Sequence, residues 1–312
     1  MGFASDTSLH LRTRRIRALA VFTCALSVLV VMVSAYLRLS GAGLGCADWP
    51  ACYGSVLAGI PHAPWVGARL AHRIVATLAL LAGIVLVWRC WRPQPLQPAA
   101  RYATLLLALM LFLSVVGVWS ADPRMAWVNF INLIGGLGLV TFSWRVAITS
   151  EPSQWVDRGP GGPFCRLALA ALTLTVLLGG LIGARYAAPA CGTLPGCQGV
   201  WWPTGGWSAL HPFVTLAGPS GPGEAGGVAL HLLHRYAAAL AAVLLAVVAL
   251  RLRTVRRARN AALAVLTLLL LEGLLGVLTV ASGFSLWLAV AHNVGAALLL
   301  AAAASLMHAV RR

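Results

Sequence analysis

Residues 228–250 read VALHLLHRYAAALAAVLLAVVAL. The run is long enough to cross a hydrocarbon layer as a helix, which takes about 20 mainly apolar residues. It closes on Arg251, Arg253, Arg256, Arg257 and Arg259. An apolar span ending in a cluster of arginines reads as a membrane helix whose basic end stays in the cytoplasm. Inside it lie His231, His234 and Arg235. Ionisable groups at that depth are costly to hold in lipid and mark function by default.

Seven further apolar stretches repeat the pattern, at about 18–37, 66–88, 101–120, 126–147, 166–186, 261–281 and 286–309. The composition agrees: 60% of residues are apolar and 10% are charged, where a soluble domain carries roughly a quarter charged residues. The net charge of +16 comes from arginine alone, with no lysine. Arg12, Arg14, Arg15 and Arg17, then Arg89 and Arg92, then Arg311 and Arg312 each flank a span. That distribution excludes a nucleic-acid-binding surface and places both termini in the cytoplasm of a cell (inner or plasma) membrane. The first run is too long for the apolar part of a signal peptide and reads as the first span.

An internal repeat divides the chain. Cys46 and Cys52 match Cys191 and Cys197, Arg38 matches Arg185, and Leu70-Ala71-His72-Arg73 matches Leu232-Leu233-His234-Arg235. Asn132 matches His292, and Gly117 matches Gly276. The Pro- and Gly-rich stretch around 151–165 reads as a linker. The expected fold is therefore an all-α membrane protein of eight transmembrane helices in two tandem four-helix bundles, 1–150 and 166–312, related as a parallel repeat.

His72, His234 and His292 lie roughly 10 Å below the outer surface at 1.5 Å per residue. Two imidazoles at one depth on different helices can ligate one haem iron from opposite faces. His234 and His292, flanked by Ala237 to Ala239 and by Gly295 to Ala297, make that pair; the alternative is hydrogen bonding across a helix interface. His231, one turn before His234, is a second support for the site or an interfacial residue facing the outer loop. Arg73 and Arg235 can meet haem propionates or loop carbonyls. Glu272 lies deep in a span as a proton or hydrogen-bond site. The outer cysteines, Cys46/Cys52 and Cys191/Cys197, each enclose a proline and read as disulfides, with a redox role or zinc as alternatives.

The stretches Arg38-Leu39-Ser40-Gly41-Ala42-Gly43-Leu44-Gly45-Cys46, Asp48-Trp49-Pro50-Ala51-Cys52, His72-Arg73, His234-Arg235 and His292-Asn293 resemble the haem A synthase family, over nearly the whole chain. The resemblance implies a permanent haem b on His234 and His292. It also implies haem O bound in the first half near His72, with oxidation of its methyl group to formyl. A haem O-forming prenyltransferase and a terminal oxidase would be partners, and the chain could pair with a second copy. Two positions depart from the pattern: Asn132 stands where the family has a histidine, and Arg69 where it tends to have glutamate. The alternatives are a non-catalytic haem b relative serving electron transfer, haem carriage or oxidase assembly, and a transporter. A transporter needs polar residues along a path, which the spans lack.

Overall fold

The computed structural model describes residues 2–41, 64–121, 124–150, 162–216 and 220–310. Cys46, Cys52, His62 and the 151–161 part of the linker lie outside the described residues. Among those described, eight long α-helices run in order: α1 (Gly2–Gly41), α2 (Pro64–Trp91), α3 (Ala99–Val116), α4 (Ala126–Thr149), α5 (Gly162–Ala184), α6 (Ala225–Leu252), α7 (Arg259–Ala281) and α8 (Leu286–Val310). All eight contain a segment long and apolar enough to cross a membrane. The outward faces carry exposed Leu70, Leu81, Leu105, Val243 and Leu270, the last 77% open. A belt of that kind belongs against lipid tails, and the chain is an all-α multi-pass membrane protein.

The helices outrun the apolar stretches that announced them. α1 begins well before residue 18 because no Gly or Pro interrupts positions 3–40; hydropathy marks the lipid-facing part of a helix and not its ends. α3 stops at Val116 and tightens into a 3-10 turn over Gly117–Ala121. α6 starts at Ala225 because the Glu224 carboxylate accepts from Gly226 N at 2.8 Å and Gly227 N at 2.7 Å. This cap satisfies two of the amide donors left free at a helix start. Glu224→Ala is expected to cost about 1 kcal/mol, read as a lower thermal midpoint in detergent. An unchanged midpoint would mean that water caps the helix equally well.

In the first half α1 packs on α2 and α4, and α3 on the same two, so α2 faces α4 across the bundle. In the second half α5 packs on α6, α6 on α7 and α7 on α8, with α5 touching α8; α6 then faces α8. This adjacency is compatible with two four-helix bundles. The halves meet where α1 and α4 lie against α8, and α4 against α5. Cys24, Val31, Leu133, Val140, Ala297 and Ala301 form the core there. Ala297 and Ala301, one turn apart on α8, permit the close approach on which helix pairs in lipid depend. Trp144 Nε1 donates to Ser305 Oγ at 2.6 Å across the same seam.

The loop after α5 holds the Cys191–Cys197 disulfide. It then reaches the first half, where Leu216 N donates to Arg124 O at 2.8 Å and Ala126 N to Val214 O at 3.3 Å. Cys24, Cys90 and Cys165 are buried free thiols.

Candidate functional site

Two sites follow from the diagonal pairs, one in each half. In the second half, His234 of α6 and His292 of α8 are each held against the helix that precedes their own. His234 Nδ1 lies 2.9 Å from Thr175 O of α5, and a Cβ at Gly179, one turn further along α5, would sit 2.9 Å from the His234 ring. His292 Nδ1 lies 2.9 Å from Glu272 Oε2 of α7, and a Cβ at Gly276 would sit 3.5 Å from the His292 ring. A polar residue and a glycine, four positions apart on one helix face, thus cradle each imidazole.

For His234, whose Nδ1 bonds Thr175 O, the proton belongs on Nδ1 and the Nε2 lone pair is left for a metal; His292 turns Nδ1 to the Glu272 carboxylate in a close contact that likewise leaves Nε2 clear. Among the described residues no hydrogen bond is made to Nε2 of either ring. The His292 side chain is 31% open. These features fit a haem with two axial imidazoles. Arg235 adds to the fit: its Nη1 donates to Pro195 O at 3.0 Å and Gly196 O at 2.9 Å, while its buried Nη2 has no partner among the described residues. The loop-carbonyl reading of Arg235 therefore holds for one amine, and the other is available to a carboxylate.

His231 takes the structural role of the two open to it. Its Nε2 lies 3.0 Å from Ala187 O, and the residue is only 6% exposed. It ties α6 to the outer loop.

In the first half a cavity of about 890 Å³ lies among α1, α2, α3 and α4. That size suits a large organic ligand. His72 and Arg73 of α2 line it, with Asn132 on the facing helix α4. Arg38 and Arg69 also line it, and among the described residues no Asp or Glu does. A partly open space between apolar helices, rimmed by guanidinium groups, favours the carboxylates of an amphiphilic anion. Asn293, which follows His292, reaches the same cavity, and its Oδ1 accepts from Arg38 Nη2 at 3.0 Å. Tyr186, from the outer end of α5, is a further wall and accepts from Asn129 Nδ2 at 3.2 Å. The cavity thus borrows residues from the second half, and α8 touches both sites.

Arg185, the repeat counterpart of Arg38, does not enter the cavity. It donates to His211 O at 3.2 Å. Partial burial lowers its pKa, opposed by the nearby Glu224.

The sequence named His72, Arg73, His234, His292 and Arg235 but missed the Arg38–Asn293 bond, Tyr186 and the glycine cradles. Gly179 and Gly276 were legible only as small residues, and the partners they accommodate are set by helix packing. Among the described residues no three His, Cys, Asp or Glu side chains gather to hold a bare metal ion. Cys191 and Cys197 are joined to each other, so a zinc site there has no support. The matching pair Cys46 and Cys52 lies outside the described residues.

A family model described as "Cytochrome oxidase assembly protein" matches residues 17–65 and 132–304. The chain is 29% identical to a heme A synthase of Shewanella oneidensis over 89% of its own length and 91% of that protein. It is 35% identical to a heme A synthase of Symbiobacterium thermophilum over 44% of its length and 41% of that protein. A protoheme IX farnesyltransferase of Thermus thermophilus is 34% identical over 54% of this chain but only 29% of that protein. The family match omits residues 66–131, the stretch that carries α2 and α3 and with them His72 and Arg69.

Proposed function

The chain belongs to the cytochrome oxidase assembly protein family, and from that premise we propose that it is a haem A synthase-like oxidoreductase of the cell membrane that converts the methyl group of haem O to formyl. Its role lies in haem A biosynthesis and oxidase assembly. The observation that carries the finer reading is the pairing of two sites: a large arginine-lined cavity beside His72, and an anchored imidazole pair behind it.

In this reading haem O is the substrate of the first half. Arg38 and Arg73 hold its propionates, His72 approaches the iron, and the apolar walls from Val30, Leu80 and Leu137 exclude water from the porphyrin face. Two successive two-electron oxidations would take the methyl carbon through an alcohol to the aldehyde, with the oxygen atom drawn from water and four electrons and four protons passed to an acceptor in the membrane. His234 and His292 hold haem b in the second half, and that group supplies one-electron exchange with a membrane partner. Arg38 fixes Asn293 and so sets where α8 stands relative to the substrate. Both termini face the cytoplasm, with the arginine clusters on that side. The substrate arrives from a haem O-forming prenyltransferase and the product leaves for a terminal oxidase.

A second reading has specific support. Asn132 is a poor ligand for haem iron, Arg69 replaces an acid, and the family match skips 66–131. On that reading the chain carries haem b without altering haem O. Expression in cells that make haem O, followed by pigment extraction, separates the two. Haem A in the extract is the expected result. Its absence from a folded, haem-loaded preparation would leave the non-catalytic reading.

A further inference from the structure

We propose that Glu272 is the positioning residue for His292, and that its carboxylate sets the redox poise of the haem which, on the reading above, the second half holds. The first support is contact. Glu272 Oε2 lies 2.9 Å from His292 Nδ1. The contact is a close ion-pair approach, and neither Nδ1 nor Glu272 Oε1 has a hydrogen-bond partner among the described residues. Glu272 is 9% exposed, so its charge has little water to screen it and one nearby donor to meet it.

The second support is space reserved for it. A Cβ at Gly295, one turn beyond His292 on α8, would land on the Glu272 carboxylate. α7 and α8 can therefore close around the acid only because residue 295 is glycine.

The third support is the internal repeat, which acts as a comparison within one chain. Leu113 stands four residues before Gly117, as Glu272 stands four before Gly276. Gly135 follows Asn132 by three, as Gly295 follows His292. The packing repeats as well: a Cβ at Gly135 would sit 2.5 Å from Leu113 Cδ2. The half with histidine has the carboxylate in this niche, and the half with asparagine has leucine. The acid accompanies the imidazole, which a purely structural role for Glu272 does not explain.

A carboxylate charge this close to Nδ1 makes an imidazole a stronger donor to iron and favours the oxidised metal. His234, held by the neutral carbonyl of Thr175, lacks that push. The two axial ligands are therefore unequal, and the poise of the site rests on the α7–α8 side.

The test is redox titration of the purified, haem-loaded full chain, monitored in its visible bands. Glu272→Gln keeps an acceptor in place but removes the charge. It is expected to retain haem while the reduced-to-oxidised ratio at a fixed potential rises about tenfold, a shift of about 59 mV for one electron. Glu272→Leu, which copies the niche of the first half, is expected to lower haem content about tenfold without loss of a monodisperse, folded preparation. An unchanged potential in Glu272→Gln, or full haem content with an unaltered spectrum in Glu272→Leu, overturns the proposal. A wild-type chain that takes up no haem overturns instead the haem reading on which it rests.

Discussion

His292→Ala is expected to abolish the reduced b-type absorption of the purified protein, with haem content falling by about tenfold or more. The ring is anchored through Nδ1 to Glu272, and the space around it is shaped by Gly276. Among the described residues no neighbouring histidine stands ready to replace it, since His231, one turn before His234, is committed to Ala187 O. Asn132→Ala, at the matching position of the first half, is expected to leave that spectrum in place. Equal loss in the two variants, measured as pyridine haemochrome per chain, would remove the distinction between the halves.

Gly295→Val is expected to produce the next largest effect. Its first side-chain carbon would occupy the position of the Glu272 carboxylate. Either α7 and α8 separate or the acid swings away from His292. Overpacking of this kind costs about 1–3 kcal/mol, so a lower thermal midpoint should accompany a loss of haem. Gly117→Ala serves as the contrast, because nothing lies within 4 Å of a Cβ there. If Gly295→Val matches the wild type in both midpoint and haem content, α8 does not pack on the acid as described.

The membrane spans were legible because lipid demands one feature that sequence displays directly, an unbroken apolar run. Helix ends were less so. The early start of α1 and the Glu224 cap depend on polar residues that hydropathy does not weigh. The histidines were legible by depth and by the repeat. Their anchors were not, because Thr175 acts through its backbone carbonyl and Glu272 through a contact set by the α7–α8 crossing. For His231 and Arg235 the sequence left two readings each. The loop that follows α5 decides the first and half of the second, through Ala187, Pro195 and Gly196. The Arg38–Asn293 bond spans 255 positions and joins the two halves. No periodicity within either half encodes such a contact.

The site itself shows where local rules yield to function. Three arginines around a half-open cavity between apolar helices, and a carboxylate deep in an apolar helix, are poor choices for stability in lipid. They make sense when a large anionic ligand fills the first half and a metal centre sits in the second.

The most direct test is haem stoichiometry in cells that make protohaem but no haem O, with the low-spin signal followed by electron paramagnetic resonance. One bis-imidazole haem per chain should persist in His72→Ala and vanish in both His234→Ala and His292→Ala. Haem that survives loss of either second-half ligand, yet disappears with His72, would contradict the assignment.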